Sequence, residues 1–283
     1  MMDKAISHPL SAISRTSERR FRCRLVWMPA LLISCLTFPA AAQGSSDLPS
    51  LSRLLEQAGK QVELFSRQFP AVTCTEKVSQ VRLGEKGKIL QRQESQSDYL
   101  IFLKLLDNDL LVEESRIWKD KPKKKKGAPL LVTNGFATLN LVFHPLYQNS
   151  FEFSQLSEET RGGDRLLRVH FQHVPGTRST AALRLGAKDI PLELQGNAWF
   201  DPETLSIVRI VAELAIPLAD RGLESLTSDV QYAPVRFANS DQAFWLPSSA
   251  SIDIASRLQH WRNIHWFTEY RRFSVTVESV VKR

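Results

Sequence analysis

Cysteine is scarce in this 283-residue chain. Of three, Cys23 and Cys35 fall within the first 42 residues, which leaves Cys74 alone downstream. A framework of internal disulfides is therefore excluded for the body of the protein. Twelve glycines and fourteen prolines are too few for a collagen-like or low-complexity chain, and 43% hydrophobic residues are too many for a disordered one. Local catalytic signatures are also missing. The sequence holds no G-x-S-x-G, no H-E-x-x-H, no P-loop and no G-x-G-x-x-G following a strand.

The remaining chemistry-bearing residues are dispersed. Five histidines lie beyond the first 42 residues: His144, His170, His173, His260 and His265. His170 and His173, and likewise His260 and His265, are separated by odd spacings. In strands those spacings send the members of each pair to opposite faces. Neither pair forms a metal site by itself, and the expectation is surface or hydrogen-bonded histidines, with no metal and no cofactor. Glu113–Glu114 and Glu158–Glu159 split in the same way and read as solvated edges rather than acid/base partners. Cys74, between Val72, Thr73 and Thr75, reads as a small buried hydrophobe. A hydrolase assembled from distant residues would leave no local trace, but nothing positive points to one.

The formal charge of +7 is unevenly placed. Residues 1–42 carry Lys4, Arg15, Arg19, Arg20, Arg22 and Arg24, an apolar run from Leu25 to Pro39, and Ala40-Ala41-Ala42 before Gln43. This is the pattern of an export signal, and cleavage after Ala42 is the favoured reading. Leu32-Ile33-Ser34-Cys35 also fits a lipobox, with Cys35 lipidated. A retained anchor is the third alternative, since Leu25–Ala42 would span about 27 Å as a helix. All three place the remainder outside the cytoplasm.

The second concentration of charge is a loop at 119–127, with Lys119, Lys121, Lys123, Lys124, Lys125 and Lys126 around Asp120 and Pro122. Without it and the leader, 25 basic residues face 27 acidic ones. The loop is the one place suited to an anionic membrane surface or another anionic partner, although such a run is equally a solvated loop. Nucleic acid is not expected: export removes it, and no aromatics are interleaved with the lysines.

Leu48, Leu51, Leu55, Ala58, Val62, Phe65 and Phe69 form an apolar helical stripe, with Asp47 as N-cap, Pro49 in the first turn and Pro70 as the stop. The period then shifts toward two. Hairpins are expected for 72–83 with 88–96, 99–106 with 110–118, 151–156 with 165–174, and 192–200 with 205–216. Further strands are expected at 223–237, 245–255 and 258–281. A second helix, capped by Thr133 or Asn134, should run from Phe136 to Phe143 and end at Pro145. The fold class is α+β: a large curved antiparallel sheet, an unclosed half-barrel, with a long N-terminal helix and one internal helix. Residues 43–283 form a single domain in this reading.

Gly196-Asn197-Ala198-Trp199-Phe200-Asp201-Pro202-Glu203-Thr204, followed by Ile207, Val208 and Arg209, resembles the G-x-x-W-x-D-x-x-T…I-x-R hairpin of the periplasmic lipoprotein-carrier superfamily, the LolA, LolB and RseB group. The resemblance is specific over about 20 residues and architectural elsewhere. It implies an unclosed barrel over helices, with a hydrophobic cavity for acyl chains. The expected function is non-enzymatic binding of a lipid, a lipoprotein acyl chain or another apolar ligand in the cell envelope. Phe102, Trp199, Val208 and Trp266 are the candidate cavity residues. The alternative is an envelope sensor or scaffold that binds a protein partner through the sheet without a lipid cavity.

Overall fold

The computed structural model describes residues 48–68, 71–106, 109–119, 135, 138–185, 188–238, 242–257 and 259–272. Residues 1–42, Lys121–Lys126, Asp47, Phe69, Pro70, Thr133, Asn134, Phe136 and the end of the last expected strand lie outside them.

Helix α1 spans Leu51–Gln68. Ser50, rather than Asp47, caps it: its carbonyl accepts from Leu54 N at 3.1 Å and its hydroxyl from Arg53 N at 3.2 Å. Pro49 therefore precedes the helix. The buried side chains Leu54, Ala58 and Val62 make up its inner stripe, flanked by half-buried Leu51, Leu55 and Phe65.

The strands are β1 (Ala71–Leu83), β2 (Ile89–Leu106), β3 (Asp109–Trp118), β4 (Phe151–Arg161), β5 (Asp164–His173), β6 (Ala182–Leu185), β7 (Lys188–Pro191), β8 (Leu194–Phe200), β9 (Ile207–Leu214), β10 (Ser225–Arg236), β11 (Ala243–Ala255) and β12 (His260–Arg272). Ten of them form one antiparallel sheet in the order β3-β2-β1-β12-β11-β10-β9-β8-β5-β4, and β6 and β7 pair separately. The sheet is unclosed, because β3 and β4 stand at opposite edges. The two strands expected over 88–96 and 99–106 are one continuous strand, β2. Its polar half pairs with β1 alone among the described strands, while Ser97–Leu106 also pairs with β3. The small β6–β7 hairpin has no counterpart in the sequence reading.

The internal helix also differs from expectation. A 3-10 turn covers Leu139–Phe143, and the four-residue helix α2 covers Pro145–Gln148. Pro145 thus starts a helix instead of ending one, as its fixed φ and absent N–H suit a first helical position. His144 caps it, Nδ1 accepting from Leu146 N at 3.2 Å. The 3-10 segment lies against α1 at Gly59, where a Cβ would sit 2.7 Å from Gln148 Nε2 and 3.2 Å from Phe143 O. Gln148 Nε2 donates to Phe143 O at 2.7 Å and to Leu55 O at 2.9 Å, joining helix and turn.

Both lie on one face of the sheet, called here the inner face. The core gathers Cys74, Tyr99, Ile101, Phe151, Val169, Phe171, Ala198, Ile210, Val230, Ala250, Ile252 and Phe267 from that face, with Leu54, Ala58 and Val142 above it. Phe143 fills the β4–β5–β8 part, with ring centroids 5.4, 6.3 and 5.2 Å from Phe153, Phe171 and Phe200.

Candidate functional site on the inner face

Register places a polar group within this apolar face. Glu76 on β1 is opposite Ser97 on β2 and Phe267 on β12; Tyr99 on β2 is opposite Arg116 on β3; and Val78 on β1 is opposite His265 on β12. Glu76 is fully buried, and His265 and Arg116 nearly so. The Glu76 carboxylate accepts from Arg116 Nε at 2.6 Å and Nη2 at 3.0 Å, from Ser97 Oγ at 3.0 Å, and from His265 Nδ1 at 2.8 Å. This two-point contact between guanidinium and carboxylate is the strong form of the pair. The Arg116 guanidinium also lies over the Tyr99 ring, 4.9 Å from its centroid, and His265 stacks on Phe267. Glu114, next but one to Arg116 on β3, accepts from Gly135 N at 3.0 Å.

Burial opposes ionisation of Glu76, yet the hydrogen bonds from His265 and Arg116 outweigh it and hold the carboxyl at about 2. Burial lowers His265, so the neutral ring donates its Nδ1 proton to a charged Glu76. Burial raises Glu114, and Arg116 only partly offsets this. Cys74, on the same face, is buried as expected, and desolvation pushes its thiol up to about 12. It has none of the thiolate character that nucleophilic chemistry needs. Among the described residues no group of His, Cys, Asp and Glu is arranged to hold a metal.

Three of the four candidate cavity residues lie on the other face. Trp199 alternates with Ala198 and Phe200 and is covered on the outer face by Arg161 and Arg209, whose guanidinium carbons lie 5.4 and 5.1 Å from its ring centroid. Its Nε1 donates to Glu159 at 3.1 Å. Trp266 stands between buried His265 and Phe267 and is 44% exposed. Phe102 alternates with the buried Ile101 and is half-buried. Val208, also half-buried, occupies the bulge between the pairs Trp199–Arg209 and Phe200–Ile207. The correction is one of strand parity: a single-residue offset moves a side chain to the opposite face. Of the loop lysines, Lys119 is exposed and pairs with Asp98 at 3.0 Å.

The polar group escaped sequence reading because its members are far apart in the chain; Glu76 and His265 are separated by 189 positions. Glu113 is a solvated edge residue as expected, but Glu114 is not. The histidine expectation is met by hydrogen bonding for His144, His173, His260 and His265.

The G-x-x-W-x-D-x-x-T segment builds a hairpin. A Cβ on Gly196 would fall 1.9 Å from Val211 O, so β8 and β9 require glycine there. Asp201 Oδ1 accepts from Thr204 N at 2.7 Å, Thr204 Oγ1 at 2.8 Å and Glu203 N at 3.2 Å, which closes the turn. Arg209 binds Asp229 on β10 through Nε at 2.7 Å and Nη2 at 2.5 Å. Gln61 Nε2 of α1 donates to Thr204 O at 3.0 Å. These contacts fix strands and helix to one another.

No family model and no curated protein matches the chain. Among solved structures it is similar to a DUF1329 family protein from Desulfovibrio piger, with 10% identity and a TM-score of 0.41, over 78% of this chain and 92% of that one. It is also similar to a domain assigned to outer-membrane lipoprotein sorting from Vibrio parahaemolyticus, with 10% identity and a TM-score of 0.37, over 80% of this chain and 95% of that one.

Proposed function

We propose that the chain is an exported, non-enzymatic binder of an apolar ligand, a lipid or a lipoprotein acyl chain, held against the inner face of the sheet. The observation that carries this reading is a continuous apolar inner face whose margin on β10 and β11 is only half-buried. The α1 and 3-10 segments pack on β2 and β9, and α2 on β4. The face continues through Val230, Ala250 and Ile252 on β10 and β11, bordered by half-buried Leu226, Trp245 and Ile254. An alkyl chain laid along Leu226, Trp245 and Ile254 would gain roughly 0.8 kcal/mol for each CH₂ removed from water. The leader pattern and the carrier-like hairpin of the sequence agree with an envelope location. The Lys119–Lys126 run would hold the protein near an anionic membrane surface, at roughly 1 kcal/mol per lysine.

Titration with a fluorescent fatty acid tests the reading. Saturable binding is expected, weakened by Ile254→Asp and Leu226→Asp and unaffected by Trp266→Ser on the outer face. Absence of binding, or equal binding by all variants, contradicts it.

The scaffold alternative has one specific observation in its favour. Trp266 and Ile117 are exposed on the outer face, and the β4–β5–β8 part of the core is already filled by Phe143. A protein partner lost on Trp266→Ser, without any fatty-acid binding, would support that alternative.

A further inference from the structure

Three connections leave the sheet from one row of residues. Leu83 is the register partner of Ile89 and of His260, His260 of Ala255, and Ala255 of Ser225. The β1–β2 turn, the β11–β12 turn and the β9–β10 connection therefore project side by side at one end of the sheet. Exposed aliphatic side chains collect there: Ile89 and Leu90 beside the first turn are 48% and 53% exposed, and Ile216 in the third is 61% exposed. The described turns at the opposite end, 162–163 and 201–206, present no exposed large hydrophobic residue. The aliphatic tips belong to ordered turns. Gly84 N bonds to Lys88 O at 2.8 Å, Leu218 and Leu223 form a bridge across the third connection, and Ser256 N bonds to Gln259 O at 2.8 Å.

We propose that this end of the sheet docks on the surface of a lipid bilayer, Ile89, Leu90 and Ile216 entering the headgroup–acyl boundary. Aliphatic tips from three turns along one row, with exposed basic side chains beside them, match the apolar and phosphate layers that meet at a bilayer surface. Exposed Lys86 and Lys88 immediately precede Ile89–Leu90, and exposed Arg257 lies in the second turn. Their long side chains reach headgroup phosphates while the aliphatic residues insert. Glu85, Asp220 and Glu224 offset much of that positive charge, so the aliphatic contribution dominates and salt weakens docking only modestly. The docking residues differ from those proposed to hold ligand, although Leu226 and Ile254 lie one register step from the row.

Hydrogen exchange of the full chain, with and without phosphatidylethanolamine/phosphatidylglycerol vesicles, tests this independently of any affinity of residues 1–42 for lipid. Peptides covering 84–90, 215–222 and 256–259 should slow with vesicles, and peptides covering 161–164 and 201–206 should not. In the triple variant Ile89→Ser, Leu90→Ser, Ile216→Ser, protection at the unaltered 256–259 turn should disappear, because each lost aliphatic weakens partitioning roughly tenfold. Fatty-acid binding should persist in that variant, which separates this docking surface from the inner-face reading. Unchanged exchange at the tips with vesicles overturns the proposal. So does protection that grows with protein concentration without lipid, which would mean that a second copy covers the tips.

Discussion

Glu76 is a carboxylate removed from water and held by four hydrogen bonds, two of them from one guanidinium. Such a pair is costly to bury and costlier to break, because removing one partner strands the other. Glu76→Gln should therefore destabilise the protein by about 3–5 kcal/mol in urea unfolding, and the double variant Glu76→Gln, Arg116→Met by clearly less. Equal losses in the two would show that Arg116 is not stranded. The same residues set the acid response. The Glu76 carboxyl lies at about 2 against an ordinary 4.5, so its contribution of roughly 3 kcal/mol is complete above pH 4.5 and is lost as pH falls toward 2. His265 lies below its ordinary 6.5, so the unfolded chain takes up that proton first and stability already declines below about pH 6.5. Glu114, raised by burial, acts in the opposite sense, its contribution fading as pH rises above 4.5. The urea midpoint should fall between pH 7 and pH 4, with a shallower fall between 6.5 and 5 in His265→Asn. An unchanged slope in that variant would remove His265 from the account.

At the scale of elements, the β8–β9 hairpin depends on Gly196, since a methyl group there meets the Val211 backbone rather than a side chain able to move. Gly196→Ala should cost about 3 kcal/mol, at the upper end of what overpacking costs, and urea unfolding would show it. A loss below about 0.5 kcal/mol would mean the strands separate freely, as at a surface site. This hairpin was readable because turn chemistry and alternation agree within a few residues. The α1 stripe was readable from its helical spacing, although the fully buried Leu54 lies outside the expected stripe, Leu48 within it is exposed, and Ser50 is the cap. The internal helix was misplaced because Phe136–Phe143 suits a helix locally, whereas packing of Gln148 against Leu55 O and Phe143 O favours a tight turn followed by a fresh start at Pro145. The facing of Trp199 and Trp266 was misread because the alternation of large side chains does not say which face is covered. The rings do sit in strands, but arginines cover Trp199 on the outside. The polar group on the inner face was not readable at all, because it exists only once β1, β2, β3 and β12 are in register.

At the scale of the whole molecule, ten antiparallel strands present one apolar face, and the chain's own helices pack on β2, β4 and β9. An apolar ligand is proposed to bind along the half-buried margin of this face on β10 and β11. Photo-crosslinking of the full chain with a diazirine-bearing fatty acid, mapped by peptide mass spectrometry, tests this most directly. Labels are expected on the bordering residues Leu226, Trp245 and Ile254, and should be displaced by unlabelled fatty acid. Labels confined to the outer face around Trp266, or none that unlabelled fatty acid displaces, would contradict the claim.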